Sequence, residues 1–366
     1  MKTMNILLRV RRALMLMLVV LVSLLGLVAE DIEVAHAAQT VTVCDESHLD
    51  VAISAAAPTD TINFSCSGTI IPSSTLVITK NLTFDGGEQQ VTISGGGTIQ
   101  VFQVNSGFTL TLKALTIANG NTSSSFGGGG LLNEGGTVTI TNSTFSNNSA
   151  SNGGGLFNNS GKVSITNSTF SNNSASNGGG LFNNIGTVSI TNSTFANNSA
   201  PSGYGGGLFN NIGSTVNLAQ SIVANNTATN GANCNNYNGT INDGGYNLSN
   251  DTSCGFTNGG NNDIVTSNPL LAAGLANNGG PTQTIALQSG SPAIDQIPVG
   301  QSPSLCTLTS DQRGFPRPGL GESKCSIGAY EFQGSAPTHQ HVLYLQGSTS
   351  VQETTSASAN ITRAIK

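Results

Sequence analysis

From residue 127 to residue 230 apolar and polar positions alternate with a period of two, in short bursts that return again and again. Val138/Ile140, Val163/Ile165, Val188/Ile190 and Val216/Leu218 stand between Thr, Ser or Asn. That is strand spacing, and it puts the aliphatic members on one face. The bursts return because one passage is written four times: GGGGLLNEGGTVTITNSTFSNNSA, GGGLFNNSGKVSITNSTFSNNSA, GGGLFNNIGTVSITNSTFANNSA and GGGLFNNIGSTVNLAQSIVANNTA. Phe145, Phe170 and Phe195 recur at a spacing of 25, and Val223 takes their place 28 residues later because residues are inserted around Ser202 to Tyr204 and Gly213 to Thr215. A period of this length marks stacked supersecondary units.

Each unit is made of strands. Its apolar runs are short, rich in Val, Ile, Thr and Phe, and broken by NN, SN and GGG clusters that favour turns and positive φ. Three strands fit in one copy, around Val163 to Thr166, Thr169 to Ser171 and Gly155 to Asn158. No stretch is left for the crossover helix of a βαβ unit or a leucine-rich horseshoe. The expected fold is therefore all-β, a single-stranded right-handed parallel β-helix, a solenoid like that of the pectate lyases.

Stacking also accounts for the likeness of the copies. Equivalent side chains in adjacent rungs lie about 4.8 Å apart, so Phe over Phe and Ile over Val fill the interior. Asn147/Asn148, Asn172/Asn173, Asn197/Asn198 and Asn225/Asn226 fall at bends, where amides can bond to each other and to turn backbone. Degraded copies precede these four: Thr109 to Ile117 matches Thr137 to Phe145 at a spacing of 28, and Thr75 to Phe84 is an earlier relative. Roughly ten rungs fit between Val41 and Gln288.

Composition adds an exported, nearly uncharged body. Lys2, Arg9, Arg11 and Arg12 precede the apolar run Ala13 to Ala29 and then Ala35-His36-Ala37, so residues 1–37 read as a signal peptide. Its removal takes four of twelve Lys+Arg and three of eighteen Asp+Glu, leaving a net charge of −7. No basic tract remains for nucleic acid or anionic lipid, and no membrane span is expected in the mature chain. Six cysteines in an exported chain point to disulfides. Cys44 with Cys66, Cys234 with Cys254 and Cys306 with Cys325 are 22, 20 and 19 apart, near one turn of the coil, although six cysteines allow fifteen connectivities. The spacings of a metal site, CxxC or Cys/His, do not occur, and no metal or cofactor is expected.

Between residues 114 and 242 the charged residues are Glu134 and Lys162, with no His, so the repeats cannot hold a pair of catalytic carboxylates. Outside them stand Asp85 and Glu88 in an early turn, Asp295, Asp311, Arg313 and Glu331 near the end, and His339 and His341 beyond; no catalytic residue is assigned. The surface candidate is a pair of hydroxyl rows, Thr139/Ser164/Ser189 and Thr141/Thr166/Thr191, projecting from stacked strands and suited to contacting glycans or ordered water. The NxS/T sequons, such as Asn63, Asn81, Asn142, Asn167 and Asn192, are by-products of an Asn/Thr-rich repeat in a chain of bacterial appearance.

The repeated GGGL followed by FSNN resembles the GGA[ILV] and FxxN repeats of the polymorphic outer-membrane proteins, adhesin-like β-helices. Val41 to Ile70 is similar to the segment that opens many secreted bacterial β-helix proteins, which implies a capping helix over His48 to Ile53 and a first rung entered at Asp60-Thr61-Ile62. Five motifs occur in order towards the end: Asn268-Pro269-Leu270-Leu271, Asn278 to Thr284, Gly290 to Asp295, Asp311 to Gly314 and Cys325 to Glu331. Together they resemble the C-terminal module of the choice-of-anchor Q proteins, surface β-helix proteins that end in differing anchors.

The organisation expected from these readings is a signal peptide over 1–37, an N-terminal cap and first rung over 38–70, β-helix repeats over 71–290, a choice-of-anchor Q-type module over 291–332 and a polar, Ser/Thr-rich disordered tail over 333–366. The expected function is that of a secreted or cell-surface, non-enzymatic protein, structural or adhesin-like. It would be monomeric and meet cell-surface glycans or other surface proteins. A polysaccharide lyase or hydrolase of the pectate-lyase-like fold, or a glycan-binding module, is the alternative.

Overall fold

The computed structural model describes residues 39–125, 127–300 and 305–333. The signal-peptide reading and the reading of residues 334–366 as a tail, with His339 and His341, lie outside these residues. All described secondary structure belongs to the unit that ends at Phe332.

The chain coils into a right-handed parallel β-helix of about 8 turns. Its strands stack into four parallel sheets. Sheet 1 has nine strands, from Gln39–Val41 to Thr240–Asp243, and sheet 2 also has nine, from Gly68–Ile70 to Ile264–Val265. Sheet 3 has seven, from Leu76–Ile78 to Cys234–Asn236, and sheet 4 has five, from Asn121–Thr122 to Thr227–Asn230. One copy of the repeat thus contributes four strands rather than three: Leu156–Asn159, Lys162–Thr166, Thr169–Ser171 and Ser174–Asn177. The fourth strand, SASN, escapes a reading based on hydrophobic alternation because it carries no large apolar residue.

The repeat spacing is the rung. Phe145 pairs in register with Phe170, Phe170 with Phe195 and Phe195 with Val223. The rings stack at 4.6 and 4.5 Å, nearly parallel, and each is fully buried. Burying a side chain of this size contributes about 1.5–3 kcal/mol. The fourth copy's insertions are absorbed outside the core: one within Ser199–Tyr204, where the register shifts, and one in the turn before Thr215. A second column, Leu132, Phe157, Phe182 and Phe209, is buried on the outer side of sheet 3, where Phe157 stacks on Phe182 at 4.9 Å.

The corners are built from asparagine. Asn147, Asn172, Asn197 and Asn225 take left-handed φ of 56°, 59°, 63° and 59°, which an Asn tolerates better than other side chains. Their neighbours form a buried ladder, with Asn148, Asn173 and Asn198 each donating an amide N–H to the next Asn Oδ1 at 2.9 Å. A second ladder, Asn133 to Asn158 to Asn183 to Asn210, runs inside the corner between sheets 3 and 1 at 2.8, 2.8 and 3.0 Å. Each rung thereby satisfies buried polar groups of its neighbour. The GGG triplets stack likewise: Gly153 has φ 61°, and a Cβ on Gly154 would lie 2.5 Å from the carbonyl oxygen of Gly179.

At the N-terminal end the helix spans Glu46–Ala55, longer than His48 to Ile53, with Asp45 as N-cap accepting from the His48 backbone N–H at 2.9 Å. The first strand, Gln39–Val41, precedes the helix and pairs with Thr61–Phe64, so the rung entered at Thr61 is not the first. At the other end the coil stops at Ile264–Val265. Residues 266–288, expected to continue it, turn back along the outer face of sheet 2, and the ten-rung expectation falls to eight turns for that reason. Leu271, Ile285, Leu287, Ala293, Ile297 and Ile327 pack there in a second core against Ala196, Ile222, Ala224 and Leu248 of the coil. These coil residues point outward, and Ile222 stands in register with Thr194. The fourth copy departs from the first three where its outer face becomes apolar.

The three disulfides are Cys44–Cys66, Cys234–Cys254 and Cys306–Cys325, with Cα separations of 5.7, 4.7 and 6.0 Å. The first two belong to the coil. The third does not join rungs; Cys325 lies in Lys324–Cys325, which pairs antiparallel with Ile297–Pro298 in the flanking segment.

Candidate functional site

The two hydroxyl rows are in register on sheet 1. Thr139 pairs with Ser164 and Ser164 with Ser189; Thr141 pairs with Thr166 and Thr166 with Thr191. Ser164 is exposed and the other five are half-buried. The rows end at Asn217 and Ala219 in the next rung, where Asn217 donates to Ser189 Oγ at 3.2 Å.

The candidate carboxylates are not brought to one place. Asp85 closes a turn by accepting from the Gly87 N–H at 2.9 Å and faces Lys113 across one rung at 3.3 Å. Glu88 is exposed. At the helix start Asp45, Ser47 and His48 cluster, but both side-chain contacts of the ring use Nδ1. A nucleophile–base–acid relay needs opposite ring nitrogens, and this is a capping arrangement. The Asp45 carboxyl is held at about 2 by the backbone and side-chain hydrogen bonds from His48.

Asp311, Arg313 and Glu331 do meet, inside the flank. Asp311 Oδ2 accepts from Arg313 Nε and Nη2 at 2.9 and 2.7 Å and from the Glu331 N–H at 2.9 Å; its Oδ1 accepts from the Arg313 N–H at 2.9 Å. The Arg313 guanidinium lies 3.6 Å from the Tyr330 ring centroid and 4.4 Å from that of Phe315. Buried Arg317, 3.2 Å from Glu331, also donates to the carbonyls of Gly328 and Ser326. Burial pushes the Glu331 carboxyl up to about 7 against the pull of Arg317 and Ser326. These groups hold the flank together, and none of them lines the cavity between sheet 2 and the flank.

Asp295 stands apart from that pair, in a second grouping. Asp295, Glu322 and Glu331 each bring a carboxylate oxygen within 4.8 Å of the others. Arg317 balances Glu331, and the Glu322 carboxyl is raised by burial and then by the charge of Asp295.

A cavity of about 450 Å³ lies elsewhere, between the outer face of sheet 2 and the flank. Its floor is a column of threonines that sequence reasoning passed over. Thr69, Thr92, Thr116, Thr144, Thr169 and Thr194 stand in register through six rungs. Each precedes an inward Ile or Phe, so each points outward. That constant Thr before the core residue was the available signal.

The flank covers half of this column and leaves half open. Thr144, Thr169 and Thr194 are buried under it. Thr144 donates to the Gln283 carbonyl at 2.6 Å, Thr169 donates to Gln312 Oε1 at 2.6 Å, and Thr194 accepts from the Ala329 N–H at 3.1 Å. Thr69, Thr92 and Thr116 form the groove floor instead, beside Ser67 and Gln90, with Asn277 and residues 280–283 as the facing wall. That wall is held by Arg313, which donates to the Asn278 carbonyl at 3.2 Å, and by Thr282, which donates to the Asn142 carbonyl at 3.0 Å.

The groove therefore offers hydroxyls, carboxamides and backbone, with no ionisable side chain in its lining. Such a surface can hold a neutral polar ligand but has no general acid, base or charged electrophile. Among the described residues no helix is long and apolar enough to cross a membrane. The chain matches no family profile, no curated protein and no solved structure.

Proposed function

We propose that the protein is a secreted or cell-surface β-helix that acts without catalysis, as an adhesin-like scaffold whose open faces meet neutral surface components such as glycans. One observation carries this reading. Asp311, Arg313, Arg317 and Glu331 are buried in mutual pairs, while the groove lining has no ionisable side chain. A glycosidase or lyase needs carboxylates, or a cation with a base, exposed to the scissile bond. Three disulfides fit an oxidising compartment, which accords with export. The likeness of the five C-terminal motifs to the choice-of-anchor Q module supports a place at a cell surface.

The test pairs adhesion with turnover. Particles coated with the mature chain are expected to adhere to glycan-bearing cells or glycan-coated surfaces. The same chain should release no reducing or unsaturated ends from a panel of neutral and acidic polysaccharides. Turnover abolished by Asp85→Asn or Glu88→Gln would overturn the reading in favour of a polysaccharide lyase or hydrolase.

A further inference from the structure

The corner between sheets 1 and 2 carries a ladder that changes chemistry at its last rung. The backbone N–H of Ser143 donates to Ser168 Oγ, that of Ser168 to Ser193, of Ser193 to Ser221, of Ser221 to Asn247 Oδ1 and of Asn247 to Asp263 Oδ1, at 3.2, 3.2, 3.1, 3.1 and 2.7 Å. All six residues are buried. The first five side chains also donate, the serines to the carbonyls of Thr141, Thr166, Thr191 and Ala219, and Asn247 to that of Leu218. A carboxylate only accepts. Asp263, 2 % exposed, ends the ladder with its second oxygen, Oδ2, buried and without a partner.

Beside it stands another carboxylate. Asp243, at the end of the last strand of sheet 1, lies within hydrogen-bonding reach of the Asp263 carboxyl. Asn247 holds both, giving its backbone N–H to Asp263 and its amide to Asp243 Oδ1 at 3.0 Å. Asp243 Oδ1 also accepts from the Gly245 N–H at 2.9 Å, and its Oδ2 from Asn261 Nδ2 at 2.7 Å. No protein cation answers this charge. The sequence has no Lys or Arg between Lys162 and Arg313, and among the described residues the ion pairs lie elsewhere. The flank's carboxylate grouping differs in this respect, since Arg317 already stands against Glu331.

We propose that Asp243 and Asp263, with the carboxamide of Asn261, form a calcium site that closes the C-terminal end of the coil. A cation against Asp263 Oδ2 supplies the partner that this buried oxygen lacks and separates two like charges. Asn261 is exposed, so its amide is free to turn by half a rotation and present Oδ1 beside Asp243 Oδ2, with water completing the shell from the open side. Calcium takes about six to eight oxygens in flexible geometry, whereas magnesium demands a near-ideal octahedron and sheds water reluctantly, so donors carried on turns favour calcium. Two carboxylates place the affinity with that of extracellular modules, a Kd of about 10⁻⁴–10⁻³ M. The missing Cys/His spacings bear on zinc and not on an ion bound by oxygen.

Calorimetric titration of the chelator-treated full chain with calcium chloride tests the proposal, at about pH 8, above the Asp263 value of about 7. Thermal unfolding in calcium and in chelator accompanies it. One saturable site and a higher unfolding temperature in calcium are expected. Asp263→Asn and Asp243→Asn should each weaken binding about tenfold or more. Asn261→Gly, which suits the left-handed φ of 48° there, should weaken it severalfold. Glu322→Gln, in the flank, should leave it unchanged, and circular dichroism reports whether each variant is folded. The quantity read is the shift that calcium produces in each protein, so a variant already more stable in chelator is still scored by its own response. No saturable binding, binding indifferent to Asp263→Asn and Asn261→Gly in folded protein, binding lost in Glu322→Gln, or magnesium bound as tightly as calcium would each overturn the proposal.

Discussion

Gln312 donates its side-chain amide to the hydroxyl of Thr144 at 2.8 Å, across 168 residues of sequence. The contact ties a loop of the flank to the outer face of the coil, and its other ends, on Thr169 and Thr282, are also buried. Gln312→Ala is therefore expected to cost about 2–4 kcal/mol, since each buried group left without a partner costs about 1–3. Urea unfolding measures the loss, and limited proteolysis should cut first between residues 266 and 332 while the repeats stay protected. Equal protection of the flank in the variant would contradict the role given to this side chain.

Ile222 is the outward residue that replaces threonine in the fourth copy, and it is buried against the flank. Ile222→Thr restores the repeat's own choice at that position, so the repeat pattern favours it. The structure predicts the opposite sign. Loss of the apolar contact and burial of a hydroxyl should destabilise the flank by about 2 kcal/mol, read by urea unfolding together with protease sensitivity of residues 266–332.

Deletion of residues 153–177 removes one repeat. The coil itself should close, because Gly153 and Gly178 share a left-handed conformation, φ 61° and 63°, and the rungs on either side present equivalent strands. The flank should not follow. Gln283, Gln312 and Ala329 meet Thr144, Thr169 and Thr194 in that order, and shortening the column by one rung displaces its two ends by about 4.8 Å. Circular dichroism retaining strand signal, with selective proteolysis of the flank, is the expected outcome. Global loss of strand signal would argue against rungs that buttress only their neighbours.

Asp263 sits buried at the end of the coil, accepting from the Asn247 N–H at 2.7 Å, and its carboxyl is pushed up to about 7 by burial and then by the neighbouring Asp243. The folded value lies above the ordinary value of about 3.9, so the folded state binds the proton more tightly. The stability it contributes is present below about pH 4 and is lost as pH rises through about 7. Asp263→Asn keeps the shape and removes the titration, so the variant should lose part of the fall in stability between pH 5 and pH 8 and be the more stable protein at pH 8. Glu331, also raised to about 7, and Glu322, raised by burial and by Asp295, contribute to the part that remains. Unfolding free energies at the two pH values check this, and an unchanged slope would show that Asp263 is ionised throughout.

Much of the coil was legible because a solenoid makes long-range contacts periodic in sequence. Phe145 touches Phe170 since both occupy one place in a repeat, and the first two disulfides join adjacent turns for the same reason. The strand Ser174–Asn177 was not legible, since polar residues paired only through backbone leave no hydrophobic alternation. The groove was not legible either. Thr69, Thr92 and Thr116 look like ordinary strand threonines, and nothing nearby in sequence announces residues 277–283 as the facing wall.

The sequence by itself determined the coil, its corners and its core column, because neighbouring rungs repeat the same local choices and stacking turns repetition into contact. Only the tertiary structure decided where the coil stops, which face the last residues cover and which half of the threonine column stays open. Those outcomes depend on non-repeating segments whose apolar surfaces, Leu271, Ile285, Leu287 and Ile327, pack on the outward patch Ala196, Ile222, Ala224 and Leu248. Such a match is set by shape and exposed area across the whole chain, and no periodicity encodes it.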